Sequence, residues 1–189
     1  MFIHTDPTPN PNTMRFLPGM AVTGGGVHEF LNAEQANGRS PLVERLFDIE
    51  GVESVLLGAD FVAVSKQENA DWTAIKTLVL GVMFEHFSSN QAVLNEAATA
   101  HHSPAGHPDF QDTETTLKIK DLLDTRVRPA VARDGGDIEF YNFDRGILWL
   151  KMRGACSGCP SSTMTLKMGI ENMMRHYVPD VLEVRAVED

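Results

Sequence analysis

Between Glu96 and Glu114 the sequence runs AATAHHSPAGHPDFQDT, a stretch of Ala, Pro, Gly and His with no apolar periodicity. Residues of this kind bury no face and interrupt any helix, so the stretch reads as an exposed linker over residues 96–113. It decides the architecture. A chain of 189 residues cut at that point must build two small domains, 1–95 and 114–189, each with its own core. Charge divides with it: residues 1–100 carry 5 basic and 12 acidic side chains, residues 101–189 carry 11 and 14, and the net charge is −10.

That negative balance, with no basic stripe, excludes nucleic acid as an expected partner, because phosphate binding draws on clustered Lys and Arg. The longest apolar run, Leu78 to Phe84, is interrupted by Gly81 and is far short of the roughly 20 residues that span a bilayer. No membrane partner is expected. The amino terminus, MFIHTDPTPNPNTMRF, has neither a cationic start followed by an apolar stretch nor an Arg-rich amphipathic pattern, so no targeting segment is read there and the cytoplasm is the default.

The first domain reads as mixed helix and strand. Ser40-Pro41 followed by Leu42, Val43, Leu46 and Phe47 and closed by Gly51 predicts a capped helix. Val52 to Leu57 and Phe61 to Ser65, joined by Gly58-Ala59-Asp60, predict a hairpin. Ile75, Leu78, Val79, Val82, Met83 and His86 form one stripe on a helix over residues 71–88, and weaker strands are expected over 14–17 and 27–31. In the second domain, Ile119, Leu122, Leu123, Val127, Ala130 and Val131 predict a helix capped at Asp112 or Thr113, with Pro129 kinking it or tightening its last turn. Asp134-Gly135-Gly136-Asp137 stops that helix, both glycines being expected at positive φ. Strands over 138–143 and 147–152, a helix over 161–177 and a strand over 181–187 complete the order helix-strand-strand-helix-strand. The fold class is therefore α/β in the broad sense (α+β), two small domains, with a C-x-x-C loop in the second.

That loop, GACSGCPSST at residues 154–163, holds both cysteines of the chain, Cys156 and Cys159. Close cysteines in a reducing compartment point to metal or redox chemistry and not to a structural disulfide. A helix starting at Pro160 turns its amide donors toward the sulfurs and favours thiolate. The small neighbours Gly154, Ala155, Ser157 and Gly158 predict an exposed, reactive pair. A tetrahedral zinc site or a [4Fe-4S] cluster takes four ligands, and one chain supplies two thiolates. His101, His102 and His107 fall in the linker, and His176 lies at the far end of the helix, roughly 20 Å away. Two chains each donating one pair is the simpler completion. A dithiol oxidoreductase and a zinc-bridged structural dimer remain open alternatives.

With DGGD at Asp134 to Asp137 and GACSGCPSSTMTLKMGIE at Gly154 to Glu171, residues 114–189 resemble the NifU-like carboxy-terminal domain of Nfu-type iron–sulfur scaffold and carrier proteins. Residues 1 to about 90, with TPNPNTMRFLPG at Thr8 to Gly19 and GADFVAVSK at Gly58 to Lys66, resemble the amino-terminal domain found beside it. The resemblance implies that Cys156 and Cys159 ligate a [4Fe-4S] cluster shared between two subunits. It implies a homodimer when cluster-bound, upstream cluster donors, client iron–sulfur apoproteins and no turnover chemistry. A chain beginning directly at that domain is expected in the bacterial cytoplasm, or in the mitochondrial matrix if it is a processed eukaryotic one.

Met164, Met168, Met173 and Met174, with Leu166, Ile170 and Tyr177, are expected to pack core, Met164 being the first candidate for an exception. Arg153 and Lys167 are read as solvated, although either could offset cluster charge. Asp134 and Asp137 are read as turn and cap residues.

Overall fold

The structure is a computed structural model of the chain. It describes residues 2–95, 113–157 and 160–187, without the side chains of 160–162. The chain separates into two compact units, Met1–Ser103 and Pro104–Asp189. The stretch read as a linker lies, apart from Thr113, outside the described residues, and so does Cys159.

In the first unit, strands β1 (His4–Pro7), β2 (Thr13–Leu17), β3 (His28–Phe30), β4 (Val52–Leu57) and β5 (Val62–Lys66) form one sheet in the order β1-β2-β5-β4-β3. Every pairing in it is antiparallel. Helices α1 (Ala33–Ala36), α2 (Pro41–Phe47) and α3 (Trp72–Ser88) accompany it. Phe16, Phe30, Leu42, Leu46, Leu57, Val64, Val79 and Met83 share its core. Ser40 starts α2 as expected, accepting from the Val43 amide at 3.3 Å, while its buried hydroxyl donates to the Val93 carbonyl at 2.6 Å. Strand β1 and helix α1 escaped the sequence reading, because HTDP and AEQA are too short and polar to show a period. The stripe on α3 is narrower than expected: Val79, Met83 and His86 are buried, but Leu78 is 54% exposed.

The TPNPNT segment is a polar knot. Thr8 donates through its hydroxyl to the Asn10 and Thr13 carbonyls, both at 2.9 Å. The buried Lys66 ammonium donates to Asn12 Oδ1 at 2.9 Å, and Trp72 Nε1 to the Pro11 carbonyl at 3.0 Å. Each proline removes a donor from the loop, whose carbonyls are taken by side chains and by the backbone amides of Thr13 and Lys66.

The second unit runs α4 (Glu114–Leu122), a π turn (Leu123–Val127), α5 (Arg128–Arg133), β6 (Gly136–Asp144), β7 (Ile147–Gly154), α6 (Pro160–Tyr177) and β8 (Glu183–Val187). Thr113 caps α4, accepting from the Thr116 amide at 3.2 Å. Pro129 falls in the first turn of α5, and the turn before it widens to π geometry. A proline inside a helix loses one bond and crowds the preceding turn, and widening that turn accommodates it without a break. The sheet order is β6-β7-β8, with β6 antiparallel and β8 parallel to β7. Strand β7 alternates half-buried and buried along its length, sending Leu148, Leu150 and Met152 inward. They meet Ile119, Leu123, Val131, Ile138, Ile170, Met174 and Val184 in one core. A parallel pair needs a long crossover; the cysteine loop and α6 are that crossover.

Candidate metal centre

Strand β7 ends opposite the start of β6, with Gly154 paired to Gly136. Gly154 has φ +60° and Gly135 φ +76°, so the chain reverses sharply at both positions, as glycine allows. The loop that follows is tied down atom by atom. Ala155 donates its amide to the Gly135 carbonyl at 3.2 Å, Cys156 to Arg153 at 3.3 Å and Ser157 to Gly154 at 3.0 Å. Ser157 adds its hydroxyl to the Gly154 carbonyl at 2.9 Å. From the first turns of α6, the Thr163 hydroxyl donates to the Cys156 carbonyl at 3.0 Å.

Cys156 is not the exposed sulfur the small neighbours predict. It is 5% exposed and packs with the core of the unit, where a thiol behaves as a small hydrophobe. The reason is Gly136. A Cβ there would stand 2.3 Å from Cys156 Sγ, 3.0 Å from the Arg153 carbonyl oxygen and 3.1 Å from the Cys156 nitrogen. The missing side chain is the seat of the sulfur. Of the two glycines in DGGD, Gly135 supplies the positive φ, whereas no positive φ occurs at Gly136; its role is space.

The next residue anchors that seat. Asp137 is 4% exposed and is gripped by Arg128, Nε to Oδ1 at 2.9 Å and Nη2 to Oδ2 at 3.1 Å. Arg128 also reaches Asp124 at 3.1 Å. Its hydrogen bond to Asp137, more than the charges around it, holds the guanidinium's pKa above its usual value against the opposing effect of burial. Asp137 is thus an ion-pair anchor and not the cap the sequence suggests. Arg153 is likewise engaged, its Nη2 lying 2.5 Å from Glu139 Oε2. Lys167 is half-buried, Met164 is exposed as the candidate exception, and Met168, expected in the core, is exposed as well. His176 stacks edge-on against Tyr177 at the end of α6, and His101, His102 and His107 lie outside the described residues. Among the described residues no three His, Cys, Asp or Glu side chains gather as a metal set. Soft thiolate donors suit zinc or iron–sulfur clusters, and the helix beginning at Pro160 immediately follows the second cysteine in sequence.

A family model for the NifU-like domain matches residues 119–185, which include both cysteines, and a model for the amino-terminal domain of scaffold protein Nfu/NifU matches residues 3–90. The mitochondrial NFU1 iron-sulfur cluster scaffold homologue of Drosophila ananassae is 46% identical over 192 residues, and that of Drosophila sechellia 47%. Both alignments cover 100% of this chain, which spans 65% and 66% of the two relatives' lengths. Among solved structures, a NifU-like protein of Saccharomyces cerevisiae overlaps 51% of this chain and 86% of its own, with 25% identity and a TM-score of 0.47. The Staphylococcus aureus protein SAV1430 overlaps 44% of this chain and 99% of its own, with 25% identity and a TM-score of 0.40. With a domain of the family matched on each side of residues 91–118 and relatives aligned along the whole of this chain, the chain belongs to the Nfu/NifU family, an amino-terminal Nfu/NifU domain followed by a NifU-like domain.

Proposed function

We propose that this chain is an iron–sulfur cluster scaffold or carrier. Cys156 and Cys159 bind a [4Fe-4S] cluster together with the same pair of a second copy, and the cluster passes from upstream donors to client apoproteins. The observation that carries the reading is the loop itself: the chain's two sulfurs stand three residues apart, between a strand end and a helix start, inside the NifU-like match. Four-ligand coordination then calls for a second chain. The cluster is cargo, held by thiolates that a client's own thiolates replace one at a time, so the protein performs no turnover of its own.

Burial of Cys156 adds a step. A thiol in an apolar seat is a poor nucleophile, which weighs against a dithiol oxidoreductase. To reach a cluster shared with another chain, the loop carries the sulfur off Gly136, giving up the Thr163 bond to the Cys156 carbonyl. Of the two locations left by the sequence, the mitochondrial one agrees with the relatives' names, which say mitochondrial.

Anaerobic reconstitution tests the proposal. The expected product is brown, with about two iron atoms per chain and a broad band near about 400 nm. Cys156→Ser and Cys159→Ser should each lose most of the iron. Equal iron in both variants and the parent would sink the reading, as would a colourless zinc protein or a metal-free chain that reduces insulin.

A further inference from the structure

Met164 and Met168 lie one turn apart on α6 and are 65% and 61% exposed, whereas Ile170 and Met174 of the same helix are buried. Thr165 and Gly169 share the outer face, and a Cβ on Gly169 would meet nothing within 4 Å. The stripe carries no charge. At 1.5 Å per residue, Met164 stands about 6 Å and Met168 about 12 Å along the axis from Pro160, the residue after Cys159. The uncharged face therefore begins where the cysteine loop ends. Two copies of a chain with a net charge of −10 repel each other overall, and a face without carboxylates adds nothing to that repulsion.

We propose that the Met164–Met168 face of α6 is a self-complementary seam on which a second copy of this chain docks beside the shared cluster. The proposal rests on the cluster reading above. A two-fold contact sets the same patch against itself, and flexible thioether side chains adapt to such a contact without exact shape matching. The seam is small. Two methionines a side are a fraction of the roughly 20–30 residues a side of a stable interface, so seam and cluster hold the dimer together, and a chain stripped of its cluster separates. Release of cargo and release of the partner are then one event.

The test uses the full chain, reconstituted anaerobically, and reads sedimentation velocity together with the rate of iron loss to a chelator. Three variants are compared with the parent: M164D with M168D, M164L with M168L, and L117D, which charges a residue on α4 that is 53% exposed. All the substituted positions are exposed, and matching thermal melts confirm the fold. The parent, the leucine pair and L117D should be dimers when loaded and monomers when stripped. The aspartate pair should dimerise at least about ten-fold more weakly and lose iron about ten-fold faster. An aspartate pair that dimerises and holds iron like the parent overturns the seam and leaves the cluster reading intact. An aspartate pair that dimerises normally but transfers slowly to an apo-ferredoxin assigns the face to clients and also overturns it. A parent that takes up no iron overturns both.

Discussion

Gly136→Ala adds a single methyl group at a point where the fold has no room for one. The new Cβ would start 2.3 Å from Cys156 Sγ, and ordinary contact begins at 3.4 Å, so the sulfur must retreat by more than an ångström. The backbone cannot share the displacement freely. The Arg153 oxygen at 3.0 Å and the Cys156 nitrogen at 3.1 Å crowd the same position, and the Ala155 and Cys156 amides are both bonded in the loop. The cheapest response turns the Cys156 side chain out of its seat. Overpacking of this kind costs about 1–3 kcal/mol; for a unit of this size each 1 kcal/mol lowers the melting temperature by roughly 4–8 °C. Two assays on the apo chain read the two halves of the argument. A thermal melt should fall by about 5–20 °C, and alkylation of Cys156, followed by mass spectrometry, should accelerate. Repeating Gly136→Ala in a Cys156→Ala background removes the sulfur and should recover most of the lost stability. An alanine variant that costs as much without the sulfur as with it would refute the seat, and so would an unchanged alkylation rate.

Two further predictions concern the charged groups. Asp137→Ala strands Arg128, which keeps Asp124 and is itself 38% exposed; the cost should therefore be about 1–3 kcal/mol by urea titration, below the 3–5 kcal/mol of a fully buried pair. A cost near zero would show that the DGGD turn holds itself. His86 is fully buried and neither ring nitrogen has a partner within hydrogen-bond geometry. Burial first, and Arg45 second, push its pKa below the ordinary value, against the pull of the Gln91 and Ala92 backbone. As pH falls through about 6.5 the unfolded chain takes up a proton that the folded chain refuses, so stability is lost on acidification, by at most about 1.4 kcal/mol per pH unit. His86→Phe should flatten that part of the profile between pH 7.5 and 5.5; an identical slope in parent and variant would dismiss the assignment.

Much of this fold can be read in the sequence, and the reason differs from element to element. The β4–β5 hairpin and the strands β6 and β7 are long, apolar and bounded by glycine turns, so local pattern and tertiary demand agree. The site was half legible. The spacing of Cys156 and Cys159 marks the candidate ligands, but burial of Cys156 depends on Gly136, twenty residues earlier at the start of β6, and no local pattern reports a contact across a sheet. A signal did exist: the reversal after α5 needs one glycine, and DGGD has two. Of the methionines of α6, Met173 and Met174 pack core as expected, and Met168 misled for a related reason. Its spacing suits a buried face, but the helix rests on a three-stranded sheet through Ile170 and Met174, and a narrow sheet leaves the neighbouring turn uncovered. Pattern gives the width of a stripe, and only the partner layer decides how much of it is used.

The parallel pairing of β8 with β7 also sets an order of events during protein synthesis. The cysteine loop emerges from the ribosome before α6 and β8 exist to close the sheet beside it. A nascent chain at that stage has a β6–β7 hairpin with an open edge, and the sulfur's seat is present on a surface that has no crossover behind it. Cargo loaded then would sit on an unfinished domain. If Cys156 and Cys159 hold a cluster as proposed, a chain built in this order is suited to receive it only after β8 has joined the sheet.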